Sequence, residues 1–207
     1  MYLRLVSFTF CIIFVILAEL NPLFASTGQQ NFSIYVAGLK VGELTYAVNT
    51  KGRNYAVRGI IRATGLVGAF TKFHFDATAF GKFQNGRHHS QKYSVSSDKG
   101  KRDSKKEMTY KNGIPTVIES APRKDYCLSP AEQKGTVDPM TAIMALLADQ
   151  PKGASCQLAM EIYDGARRFA VKLTETVASK GKLNCKGVYT KIGGYSEKQW
   201  AQGKGFP

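Results

Sequence analysis

The chain has 207 residues, 43% of them hydrophobic and 11% aromatic, with 20 Gly and only 7 Pro. That much apolar material in a domain-sized length supports a packed core and excludes disordered, collagenous and low-complexity chains. The 29 Lys and Arg against 15 Asp and Glu leave a net charge of +14, which points to an anionic partner while saying little about fold.

The first element is an apolar run. Leu5 to Leu20, preceded by Arg4, is interrupted only by small polar residues and Glu19, and Asn21-Pro22 ends it. Ala25 closes Pro22-Leu23-Phe24-Ala25 with a small residue, so residues 1–25 are predicted to be a secretory signal peptide cleaved after Ala25. A retained anchor is the competing reading, although about 16 apolar residues fall short of the roughly 18 to 20 that span a bilayer. Cys11 lies inside the run and away from the cleavage point, which argues against a lipoprotein anchor. The expected product is residues 26–207, one mainly β domain in a bacterial periplasm, with no transmembrane anchor after processing. Arg4 and Glu19 leave together, so the charge survives cleavage.

Period-two alternation then begins: Phe32, Ile34 and Val36 on one face, a turn over Gly38 to Gly42, then Leu44, Tyr46 and Val48. A polar turn at Asn49 to Asn54 leads to a third strand through Tyr55, Val57 and Gly59-Ile60-Ile61. In Gly65 to Phe73 the spacing changes, because Leu66, Val67, Phe70 and Phe73 recur every three to four residues and predict a short helical turn. Phe75 to Phe80, Ser90 to Ser96, Lys105 to Tyr110 and Pro115 to Ser120 read as strands, with Gly81, Asn85-Gly86, Asp98-Lys99-Gly100 and Asn112-Gly113 between them as turns. Asp138 followed by Pro139 opens a helix through Met140, Ile143, Met144 and Leu147 to about Asp149. Gln157 to Tyr163, Arg168 to Glu175 and Asn184 to Ile192 close the chain as strands.

Export gives the cysteines a disulfide-permissive compartment. Of Cys127, Cys156 and Cys185, the last two begin or sit in strands flanking a third, which allows them to face each other across a small sheet. That bridge would be worth about 3.6 kcal/mol in the chain-entropy model. Three buried thiols, or a pairing through Cys127, stay open as alternatives.

Four patterns in order resemble an exported bacterial family known as domain of unknown function 3108. They are Tyr35-Val36-Ala37-Gly38-Leu39-Lys40-Val41-Gly42, Ala63-Thr64-Gly65-Leu66, Gly135-Thr136-Val137-Asp138-Pro139-Met140-Thr141-Ala142 and Tyr163-Asp164-Gly165-Ala166-Arg167-Arg168. Cys156 ahead of the Asp-Gly turn, and Cys185 ahead of Gly193-Gly194-Tyr195, also look like the family pattern. The resemblance implies an antiparallel open barrel or β-spiral, similar in outline to the periplasmic lipoprotein carriers, with one short and one longer helix. It implies no established activity. The family pattern continues with further strands after Gly-Gly-Tyr, whereas this sequence stops at Pro207, so an exposed sheet edge is expected.

No phosphate loop, zinc-protease helix, nucleophile elbow or Cys-x-x-Cys motif occurs, so no catalytic residue, metal ligand or cofactor is assigned. His88 and His89 are adjacent and cannot both face one side of a strand, and with His74 and Asp76 they make a weak metal case against ordinary turn histidines. Cys127 as nucleophile with His74 as base has the right residue types and nothing else. Asp164 is expected to bind local amides in a tight turn at Gly165, with Arg167 or Arg168 pairing an acid or contacting an anion.

Residues 87–106 and 176–207 each carry five net positive charges and read as exposed loops or strand edges. Neither interleaves aromatics as a nucleic-acid platform does, and export disfavours nucleic acid. The expected partners are envelope components: lipid, lipoprotein or peptidoglycan. The expected function is noncatalytic binding of an amphipathic envelope component or partner protein in the concave face of the barrel. Leu66, Val67, Phe70, Phe73 and the helix residues Met140, Ile143, Met144 and Leu147 are candidates to plug or line it, with ordinary core as the competing reading. The alternatives are a scaffold in envelope maintenance and, behind it, an enzyme acting on envelope polymers.

Overall fold

A computed structural model describes residues 26–70, 73–98, 100, 103–148, 156–179 and 182–202. The predicted leader, residues 1–25, lies outside the described residues.

Seven strands form one antiparallel meander in chain order: β1 Ser26–Val36, β2 Leu39–Lys51, β3 Asn54–Ala63, β4 His74–Gln84, β5 Arg87–Asp98, β6 Asp103–Lys111 and β7 Ile114–Glu119. A helical turn, α1 Gly65–Phe70, joins β3 to β4 as the three-to-four spacing predicts. The helix α2 Pro139–Leu147 follows, and then a second antiparallel sheet of β8 Ala159–Tyr163, β9 Arg168–Ser179 and β10 Lys182–Gly193 in the order β10-β9-β8. The fold is mainly β with an unclosed sheet, in keeping with an open barrel. Among the described residues no helix is long and apolar enough to cross a membrane.

Local chemistry explains the boundaries. The turns Asn85-Gly86 and Asn112-Gly113 put both central residues at positive φ, as two-residue hairpins require. The first hairpin turns on Ala37-Gly38, also at positive φ, so it is tighter than the Gly38 to Gly42 turn expected, and β2 starts at Leu39. Val41 is the extra residue of a bulge opposite Ile34 and Tyr35, which breaks the alternation of β2, and Val36 at the hairpin tip is exposed. Gly81 is not a turn residue but lies inside β4, where the Tyr55 ring packs on it and no side chain fits. The basic stretch 87–106 is correspondingly no free edge, because β5 pairs with β4 on one side and β6 on the other.

The core lies on the concave face of the large sheet. Tyr46, Tyr55, Val57, Ala77, Ala79, Tyr93 and Met108 alternate inward, and α2 covers them. Asp138 caps the helix by accepting from the Thr141 amide at 2.9 Å, and Pro139 occupies the first turn. Met140 is fully buried over Gly59, where an added Cβ would stand 2.7 Å from the Met140 Cε, so the helix settles this close because β3 has no side chain there. Met144 is buried too, while Ile143 and Leu147 pack against the same cluster. The helix ends at Leu147, two residues before the expected Asp149, which lies outside the described residues. A last helix, α3 Glu197–Ala201, was not legible from periodicity because it is a single capped turn, with Ser196 and Gln199 forming a capping box.

Cys156 and Cys185 form a disulfide across the small sheet, with Cα atoms 5.6 Å apart. Cys127 is a free thiol. The parallel bridge of Val137 with Ile162 ties the α2 entry to β8, with Val137 N donating to Glu161 O at 3.0 Å.

Candidate functional site

Past Pro139, at the start of α2, the concave face stays open, and the small sheet stands opposite. The cleft between them has a volume of about 520 Å³, within the range of small-molecule sites. Phe73 and Phe75 at the start of β4, with Tyr93 and Val95 of β5, supply its apolar floor, and Phe169 of β9 and Tyr189 of β10 form the facing wall. The last two stack with ring centroids 5.1 Å apart. Ser97, Ser104 and Lys105 carry the cleft to the end of the sheet where β5 meets β6.

Its polar side is a chain of ion pairs. Arg167 Nε donates to Asp164 Oδ2 at 2.7 Å, and the Asp164 carboxylate also accepts from the amides of Ala166 and Arg167. This is the tight turn expected from the sequence, with Gly165 at φ 94°. Lys106 Nζ donates to Asp164 O at 3.0 Å and lies 3.4 Å from Glu119 Oε2, bridging the two sheets. Arg168 takes the opposite face and pairs with Glu161. Arg167 also rests over the Tyr195 ring, and the hydroxyls of Tyr189 and Tyr195 share a hydrogen bond. Burial, with the Tyr189 hydrogen bond next, pushes the Tyr195 hydroxyl well above its ordinary range.

Arg123 anchors this corner. Its guanidinium donates to Gly165 O at 2.6 Å, Leu128 O at 2.7 Å and the Tyr163 hydroxyl at 3.3 Å, while pairing with Glu119. Nothing in the sequence marks Arg123, since a lone Arg in a polar connection reads as solvated. Lys106 and Glu119 are hidden for a related reason: they sit on inward positions of β6 and β7 where the alternation predicts apolar side chains.

Of the predicted binding residues, Phe73 lines the cleft, whereas Met140, Ile143, Met144 and Leu147 fill the concavity as core. The side chains of Leu66, Val67 and Phe70 lie outside the described residues. His74 is held in register between Arg62 and Asp98 on β4, three strands from β7, after which Cys127 follows. His88 packs between Phe83 and Tyr55, and burial lowers its pKa. Among the described residues no three His, Cys, Asp or Glu side chains group as metal ligands.

Residues 31–198 match the family model described as Protein of unknown function (DUF3108). The chain belongs to that family. No curated protein and no solved structure gave a match. Three of the four motifs that carry the resemblance serve features of the DUF3108 fold seen here. Tyr35 to Gly42 makes the first hairpin and its bulge, Gly135 to Ala142 bridges to β8 and caps α2, and Tyr163 to Arg168 builds the polar wall of the cleft.

Proposed function

We propose that this is an exported, noncatalytic protein of the cell envelope whose intersheet cleft takes an amphipathic envelope component. The observation that carries the reading is the two-sided lining. An apolar floor of Phe73, Phe75 and Val95 can take one apolar chain, and Lys105, Lys106 and Arg167 outnumber Glu119 and Asp164 on the polar side. The carboxylates are committed to ion pairs, which favours binding over acid-base chemistry. The end of the sheet that the cleft reaches also carries the first hairpin tip, where Tyr35, Val36 and Leu39 are 61, 59 and 64% exposed. That offers an apolar landing point at the same end of the sheet for a ligand leaving a lipid environment. The apolar run before Ala25 and the Cys156–Cys185 bridge support export and an oxidising compartment.

The test is mass spectrometry of small molecules released by denaturing the purified protein, compared with Ser97→Trp, which fills the cleft. The expected result is an amphipathic species in the wild-type extract that is depleted in the variant. An empty wild-type extract, or identical extracts, would count against the cleft. The Lys106 bridge between the sheets favours a second reading, a scaffold with no ligand, and those negative results would support it.

A further inference from the structure

The meander has two ends, and the one away from the cleft mouth is electrostatically one-sided. Its three hairpin tips, residues 49–56, 82–89 and 109–116, contain Lys51, Arg53, Lys82, Arg87 and Lys111 and no Asp or Glu. All five cations are exposed, and none takes part in the ion pairs seen among the described residues. Several cations elsewhere are paired, Lys40 with Glu43, Arg58 with Asp76, Lys106 with Glu119 and Arg167 with Asp164, whereas this end has no carboxylate to offer.

The register turns this cluster into a shape. Lys51 pairs with Asn54, Asn54 with Lys82, and Lys82 with His89, so one lateral row across four strands presents these side chains on the outer, convex face. The β2–β3 turn leans over β4, because Phe83 N donates to Arg53 O at 2.7 Å. The result is a cup of about 480 Å³ lined by Lys51, Gly52, Arg53, Asn54, Lys82 and Gln84, with three cations, two side-chain amides and no apolar side chain. Neighbouring strands stand about 4.8 Å apart, so donors from two strands can approach one phosphate from different sides.

We propose that this cup binds a phosphate-bearing, multiply anionic group, such as a lipid head group or a soluble phosphate. Three unpaired cations without a carboxylate repel one another unless an anion joins them, and the amides of Asn54 and Gln84 add donors that a solvated basic face would not need to gather. The site is separate from the cleft, so its outcome does not depend on what the cleft holds.

The experiment uses the protein as secreted, its N-terminus read by mass spectrometry. Flotation with phosphatidylglycerol–phosphatidylcholine vesicles compares wild type with Lys51→Gln/Lys82→Gln, and with a control of equal charge elsewhere, Lys124→Gln/Lys134→Gln. Binding is expected to fall about 30-fold in the cup variant and to stay near wild type in the control. A parallel arm follows inorganic pyrophosphate by isothermal calorimetry. Binding in that arm that is lost only in the cup variant assigns the cup to soluble phosphates, and loss confined to vesicles assigns it to head groups. Equal loss in both variants would reduce the effect to net charge and overturn the proposal, as would wild-type protein that binds in neither arm. Thermal melting of each variant, unchanged from wild type, keeps misfolding out of the comparison.

Discussion

Along its length the concave face of the large sheet is treated in two ways. In one half α2 fills it, and the carboxylate trapped there is answered by neutral partners. The Asp138 carboxylate is wholly buried and accepts from the hydroxyls of Ser90 at 2.5 Å and Thr141 at 2.6 Å. The Tyr55 hydroxyl lies 2.9 Å from Thr141 Oγ1, and burial pushes its pKa up to about 12. In the other half paired charged groups stand on one side of an apolar-floored void that water can enter. The difference separates a packed half, which has no atoms to give up, from a half whose paired groups border space that water can enter.

The largest effect comes from removing the staple of the open half. Cys156→Ser/Cys185→Ser is expected to lower stability by about 3.6 kcal/mol in urea unfolding, and to speed hydrogen exchange in β8 to β10 more than in β2 to β5. Uniform acceleration across both sheets would erase the distinction between the halves. Next, Met140→Ala in the filled half should cost about 3 kcal/mol, because a fully buried side chain leaves a cavity. Val95→Ala on the cleft floor should cost about 1 kcal/mol or less, since it is already partly exposed. Equal costs would mean that the cleft is closed and packed in solution.

The filled half was the legible one. Asp138-Pro139 at the start of a three-to-four apolar spacing signals a capped helix, and period two with Asn-Gly turns signals the meander, because these patterns depend on neighbours in sequence. Strand order favoured the Cys156–Cys185 bridge but left a pairing through Cys127 open. The cleft was legible only at Phe73 and the Asp164 turn. Lys106, Glu119 and Arg123 meet across separations of 42 residues or more from the Gly165 turn they brace, or across paired strands, and no local pattern encodes such a meeting. The Val41 bulge and the in-strand Gly81 were misjudged because each looks like turn chemistry until the partner strand is in place.

A smaller effect tests the neutral network. Asp138→Ala removes the cap and strands two hydroxyls, for an expected cost of about 2–3 kcal/mol. Asp138→Asn keeps the shape and most partners and should cost well under half of that by the same unfolding measurement. Asp138 also gives the filled half a pH signature. Burial raises its pKa above the ordinary 3.8. Its folded state therefore favours the protonated form, so its contribution is full below 3.8 and is lost as pH rises through the folded value. Relative to Asp138→Asn, the wild type should gain stability as pH falls through the acid range.

The smallest effect has the opposite sign and comes from the convex face. Arg58 donates to Asp76 through Nε at 3.0 Å and through its terminal nitrogen at 2.6 Å, and this holds the Asp76 carboxyl below 3.8. The stability it contributes is present above 3.8 and is lost as pH falls through the depressed value. The Arg58 side chain is 56% exposed, so solvent screens the pair and Asp76→Asn should cost only about 0.2–1 kcal/mol at neutral pH, less in high salt. Urea unfolding of the two Asn variants across the acid range should then give stability differences from wild type that slope in opposite directions. Parallel slopes would mean that Asp138 has a cationic partner or water in solution, and the filled half would lose the neutral character that sets it apart from the cleft.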